Sequence, residues 1–344
     1  MFIHQSSCIS PQSTFGNIDL DTLIAPENNI LKVVEPKYEN IPLNILRRMG
    51  KAVRIGVGAA LPLIEKANKL DGIIIGSANG GTEDCVKFLN QIIEYDEGRL
   101  TPTNFVQSTP NAIAAQIGLT TANKGYNITH VHRGLAFENA LLDAMMILKE
   151  NRDARYLLGG VDEVSSYNYN LERLDGWYKK EKVTGIDLYD SKTAGSIAGE
   201  GSAMFVVSYE HAGSFLEVKA IKMLHTKDSG EVAAQLKQFI DINGKHDSWL
   251  CGENGDARVQ PFYKACENNL EDDIIKLHFK HFTGEHPSTT ALALWLANRF
   301  FETKKIPSHF FKSNPSEKPI DSILLYNTGK GEQHSFLSLR AVAH

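Results

Sequence analysis

The sequence has 344 residues, 42% hydrophobic and 22% charged, which suits a folded chain of two or three domains or one large duplicated one. A formal net charge of -5 argues against nucleic acid and anionic membrane as partners, and no apolar run reaches membrane-spanning length. Cys8, Cys85, Cys251 and Cys266 show neither CxxC pairing nor dense spacing, and the first ten residues lack a basic-then-apolar leader, so reduced thiols and a cytoplasmic location are expected.

In chain order, residues 2–6 read as a short strand and residues 11–38 as loops rich in Pro, Asn and Asp. Residues 47–69 read as a largely buried helix through Val53, Ile55, Val57, Leu61, Leu63 and Ile64. Gly72-Ile-Ile-Ile-Gly76 is a continuous apolar run of the buried parallel-strand type. The turn after it contains Gly80-Gly81. With neither GxGxxG nor a P-loop lysine beside the pair, a plain turn is expected in place of a phosphate cradle. Further on, Pro110 suits the first turn of a helix that Thr109 is placed to cap.

Residues 125–149 organise the chain. A β-branched run, Asn127-Ile128-Thr129, meets a tight turn at residues 130–134. A helix then shows Leu135, Ala136, Ala140, Leu141, Ala144, Met145 and Leu148 at nearly 3.6-residue spacing. Strand, sharp turn and helix together present a turn residue at a helix N-terminus. Free N–H groups and the dipole there lower a thiol's pKa and stabilise developing negative charge.

Residues 156–163 then read as a strand ending in Gly159-Gly160 and Glu163, and residues 168–196 as a polar, irregular excursion. Ala198-Gly-Glu-Gly201-Ser-Ala203 leads into another strand. After a change of halves near residues 210–214 come a strand at 215–224, an amphipathic helix at 231–240 and a strand at 248–251 ending in Gly252-Glu-Asn254. Lys280-His-Phe-Thr-Gly284-Glu285-His286 precedes an apolar helix at 291–301, and strands are expected at 323–331 and 336–339.

These landmarks, over roughly residues 70–340, resemble the β-ketoacyl-acyl carrier protein synthases. The matching pieces are Thr129 with Gly134, Pro110-Asn111, Gly159-Gly160 with Glu163, the Gly-Glu-Gly-x-Ala turn, and Lys280 with Thr283-Gly284. The resemblance implies an α/β, thiolase-like duplicated αβαβα layered fold, with halves at residues 1–210 and 211–344. It also implies where the Cys-His-His catalytic set would stand. The cysteine falls on Val131, the first histidine on Asn254 and the second on Glu285, while Lys280 is kept and His286 lies one residue out of register.

Valine carries no nucleophilic atom, and asparagine cannot shuttle a proton near neutral pH. A degenerate set with its glycine turns intact resembles the chain-length-factor partners of two-subunit polyene and polyketide synthases, including those of aryl polyene and flexirubin pigment pathways. That likeness implies a homodimer, or a heterodimer with an active ketoacyl synthase, an acyl chain on acyl carrier protein, and no cofactor or metal. The rival expectation is an active 3-oxoacyl synthase or acyltransferase with relocated chemistry drawn from His130, His132, His286 or Cys251. A third, an unrelated α/β enzyme, requires the ordered landmarks to be coincidence.

Overall fold

The computed structural model describes residues 1–67, 69–313 and 315–342. Its strands are β1 (Phe2–Ile9), β2 (Ile30–Leu31), β3 (Gly72–Gly76), β4 (Tyr126–His130), β5 (Arg155–Asp162), β6 (Ala198–Gly199), β7 (Gly201–Ser208), β8 (Leu216–His225), β9 (Ser248–Cys251), β10 (Ile275–His278), β11 (Ser322–Gly329) and β12 (Gln333–Ala341). The first-half helices are α1 (Leu43–Leu46), α2 (Lys51–Lys66), α3 (Thr82–Glu94), α4 (Pro102–Gln107), α5 (Ala112–Thr121), α6 (Ala136–Glu150) and α7 (Ser166–Leu174). The second half adds α8 (Ser229–Asn243), α9 (Gln260–Glu267), α10 (Lys280–Thr283) and α11 (Thr289–Thr303).

Ten strands form one mixed sheet in the order β10-β9-β11-β12-β8-β1-β7-β5-β3-β4. Only two residue pairs, Phe2↔Glu217 and Ile3↔Leu216, hold β8 to β1 at its middle. Counted separately from that seam, both fives repeat one topology. In each, the first strand lies at the seam, the second and fourth are parallel neighbours, the third is the outer edge, and the fifth runs antiparallel beside the fourth. The duplicated arrangement is therefore present in the strand order, although residue-level self-similarity is faint.

Helices α6 and α11 form the shared central layer, packing against strands of both fives. Twelve of the fifteen residues of α11 are buried, from Thr289 to Phe301, as an apolar helix enclosed on all sides requires. Outside it, α2 and α5 cover β1, β3, β5 and β7, and α8 covers β8 and β12 with α9 beside it. The α/β, thiolase-like layering expected from sequence is what the chain adopts.

Local differences have local causes. The expected helix at 47–69 is α2 alone, starting at Lys51 after an extended Gly50 and ending at Lys66, while α1 is a separate helical turn that precedes the expected span. Thr109 contributes its carbonyl, not its hydroxyl, to the start of α5 (Ala112 N–H to Thr109 O, 3.0 Å), and no side chain caps that helix. The polar excursion contains α7, which Ser165 caps by accepting the Asn168 N–H at 3.2 Å. Few apolar residues mark α7 because no residue in it is buried.

Candidate functional site

The ends of β3, β4, β5, β9 and β11 meet around a cavity of about 530 Å³. Two glycine landmarks, far apart in sequence, build its floor by touching. A Cβ on Gly199 would stand 2.1 Å from the Thr283 carbonyl oxygen and 2.6 Å from Gly284 Cα. Gly284 itself has φ +66, open to glycine at little cost. Backbone bonds stitch the contact, Gly199 N–H to Glu285 O at 3.0 Å and Glu285 N–H to Ile197 O at 2.8 Å. Glu285 is thereby aimed across the floor.

Its carboxylate is fully engaged there. Lys280 Nζ, on a buried side chain, donates to Oε1 at 2.8 Å, and Asn254 Nδ2 donates to Oε2 at 2.7 Å. Burial pushes the Lys280 ammonium's pKa down, and the Glu285 charge opposes that. His286, the next residue, lines the cavity and is buried, and burial pushes its pKa down to about 3. It is a neutral imidazole at pH 7. Its Nδ1 lies 3.3 Å from Ser288 Oγ, and its Nε2 has no partner.

The strand–turn–helix elbow closes another wall. The backbone takes the left-handed region at Arg133 (φ +48), and residues 133–135 form one 3₁₀ turn before α6. Arg133 and Gly134 line the cavity. A Cβ on Gly134 would lie 3.1 Å from Gly329 Cα, so the elbow presses on the end of β11. Gln333 then clamps it. Its Oε1 accepts the Gly134 N–H at 3.0 Å, and its Nε2 donates to the His132 carbonyl at 3.3 Å.

Residues 25–173 match the family model described as beta-ketoacyl synthase, N-terminal domain. Among the solved structures that superpose on the chain are three ketosynthase-type proteins. One is a type II polyketide ketosynthase, bound to a hexaketide and in complex with its acyl-carrier protein (TM-score 0.72, 18% identity, 99% of each chain covered). Another is the ishigamide ketosynthase/chain length factor (TM-score 0.72, 16% identity, 99% of each chain). The third is a beta-ketoacyl synthase from Burkholderia phymatum STM815 (TM-score 0.71, 16% identity, 91% of this chain and 88% of that one). A search of curated proteins finds no match. The chain has the ketosynthase fold.

Within this ketosynthase-like chain, Asn254, Glu285, Lys280 and His286 come together at the cavity, and Val131 does not. Val131 is 50% exposed, just beyond β4, and does not line the cavity. Backbone geometry accounts for the placement of Val131. Val131 and His132 are both spent in crossing from the strand end to Arg133, the residue with the left-handed backbone. His130 is also engaged elsewhere, 2.9 Å from Asp143 Oδ2. Cys251 is buried, and burial raises its pKa well above the ordinary thiol value. Among the described residues, no cysteine lines the cavity.

Sequence reading missed three buried acids around the site, because carboxylates on helices and strand ends usually face water. Glu200 accepts the Val33 and Val164 N–H groups at 2.9 and 2.8 Å and pairs with Lys51. Asp162 accepts the Ala78 and Asn79 N–H groups at 3.0 and 2.7 Å, and burial still pushes it up to about 6. Glu138, on α6, takes the Thr290 and Ser335 hydroxyls at 2.7 and 2.9 Å and is pushed by burial up to about 7. Asn327, which lines the cavity, donates to the same Thr290 hydroxyl at 3.0 Å.

Glu138 makes a pH prediction. Its folded pKa of about 7 lies above an ordinary value of 4.5, so the folded state holds a proton that the unfolded state has released. Stability should therefore be full below about pH 4.5 and fall as pH rises through 7. The loss at alkaline pH is about 3 kcal/mol. Glu138→Gln keeps the oxygen that both hydroxyls need and cannot ionise. Between pH 5 and 9 the stability of the native chain, read from urea unfolding, should fall about 3 kcal/mol further than that of this variant, which keeps the raised Asp162; parallel declines would refute the assignment.

Proposed function

We propose that this chain is a non-condensing, chain-length-factor-type subunit that pairs with an active ketosynthase in fatty acid or polyketide synthesis. The observation that carries the reading is the elbow. Its left-handed residue is Arg133, a cation with no nucleophilic character, and the neighbouring Gly134 N–H is already taken by Gln333. Condensation requires a thiolate to hold the acyl chain and free donors for the oxyanion. The floor agrees, since Asn254, Glu285 and Lys280 satisfy one another and leave no proton shuttle among them. Val131, Asn254 and Glu285 remain, in this reading, the degenerate Cys-His-His positions of the resemblance, with Arg133 standing at the geometric elbow.

A partner surface is available at the edge strand β4, whose outer side has no neighbour in the sheet. On the helices that pack against it, α5 and α6, Leu119 and Met146 are exposed apolar side chains, as is Val131 just beyond the strand. An unprotected edge beside exposed apolar residues is a pairing surface. An obligate interface on it should bury more than about 2,000 Å². Among the described residues no helix is long and apolar enough to cross a membrane, which fits assembly with a carrier-protein system.

A second reading has one specific support. His286 lines the cavity, and the buried Nε2 of its neutral ring has no hydrogen-bond partner and can accept a proton, as a relocated acyltransferase would need. One experiment separates the two. The chain is incubated alone with acyl-carrier protein loaded with acyl and malonyl groups, then co-expressed with an active ketosynthase. The expected result is no acyl adduct or product alone, co-elution as a dimer, and a product length set by this subunit. Product formed by the chain alone, and lost in His286→Ala, would replace the first reading by the second.

A further inference from the structure

On the far side of the floor, the sheet register assembles a second cluster that the cavity does not use. Parallel pairing of β9 with β10 sets Cys251 directly beside His278, and Glu253 lies two residues beyond Cys251 on the same strand end. The Cys251 sulfur, one Glu253 oxygen and one His278 ring nitrogen all lie within 4.8 Å of one another, and all three residues are buried.

His278 Nε2 lies 3.2 Å from Glu253 Oε2, within ion-pair distance but off hydrogen-bond geometry. Zinc–nitrogen and zinc–oxygen bonds of roughly 2.1 Å at a tetrahedral angle place ligand atoms roughly 3.4 Å apart, which matches that separation. A buried imidazole nitrogen whose neighbouring carboxylate is off hydrogen-bond geometry leaves room for such a partner.

We propose that Cys251, Glu253 and His278 bind one divalent cation of the zinc class. One thiolate, one imidazole and one carboxylate suit a borderline-soft ion, whereas calcium and magnesium require several more oxygens. Three protein donors leave the fourth tetrahedral position to water. The surroundings supply the outer partners such a site needs. Lys312 Nζ donates to Glu253 Oε2 at 3.1 Å and to Glu267 Oε2 at 2.9 Å, so it holds the carboxylate from outside. The Tyr189 ring lies 4.0 Å from the His278 ring and fixes its plane. Binding at Glu253 would brace its neighbour Asn254, and with it the Glu285 contact on the cavity floor.

The inference does not depend on the subunit reading and is tested without any activity. Full-length chain is purified without chelator and its metal content measured. It is then stripped with EDTA and titrated with Co²⁺ followed by Zn²⁺. The expected result is one equivalent of metal, a thiolate-to-cobalt charge-transfer band, and loss of that band as zinc displaces cobalt. Glu253→Gln should weaken binding roughly tenfold or more, and Cys251→Ser should abolish the band while circular dichroism stays native. If Cys251→Ser does not fold, cobalt affinity is read in His278→Gln, which keeps the thiolate and should bind roughly tenfold or more weakly; unchanged affinity there overturns the site. A native chain that retains no metal and shows no band, or a band that survives in Cys251→Ser, overturns the site.

Discussion

Gly199→Ala should destabilise the chain by about 3 kcal/mol or more and displace Glu285 from Lys280 and Asn254. An added methyl in a packed core typically costs about 1–3 kcal/mol, and relief comes when a flexible side chain can move away. Here the obstacle is backbone on both sides: the Thr283 carbonyl oxygen at 2.1 Å and Gly284 Cα at 2.6 Å. Separating them breaks the two backbone bonds that join residues 197 and 199 to Glu285. Gly230→Ala is the contrast, because its nearest neighbour is the end of the Asp228 side chain at 3.2 Å and its site is a helix start. That change should stay within about 0.5 kcal/mol of the native chain. Urea unfolding of both variants checks this, and equal midpoints would show that the Gly199 contact is loose.

The same contact shows what could be read beforehand. Gly72–Gly76, the helix after the elbow and the Gly-Glu-Gly and Thr-Gly turns were legible because each is constrained locally, by continuous burial or by backbone contact that admits only glycine. Asn254, Glu285 and Lys280 could be expected near one another through the family resemblance. The left-handed turn after β4 could not be read in the same way. Counting back from Gly134 fixes a spacing, but a left-handed backbone at an arginine carries no composition signal, and it falls at Arg133, two positions beyond Val131. Gln333, which clamps the elbow from 199 residues away, is visible only once β12 is in register. The same holds for Cys251 and His278, whose adjacency exists only in the pairing of β9 with β10.

Breaking the ion pair on the floor should have the other large effect. Lys280 is fully buried, and its ammonium has Glu285 as its hydrogen-bonded carboxylate. Removing one partner of a buried pair strands the other charge and costs about 3–5 kcal/mol. Glu285→Gln should fall in this range near pH 7, at its lower end because the Glu285 side chain keeps 24% exposure to the cavity. The sign of the pH dependence follows from Lys280. Burial already lowers its pKa, and loss of the Glu285 charge, which raises it, lowers it further. The folded variant then binds fewer protons than the unfolded chain, so its stability rises with pH as the unfolded lysine, near pKa 10.4, also loses its proton. The deficit against the native chain should shrink from pH 7 towards pH 10. Lys280→Met combined with Glu285→Leu removes both charges and should recover most of the loss at pH 7, because apolar replacement of a whole buried pair is often neutral. Denaturation midpoints for the native chain, the single variant and the double variant at both pH values supply the test. A single variant with a deficit independent of pH would mean that Lys280 is neutral in the native chain, and the floor would have to be redrawn around a neutral amine.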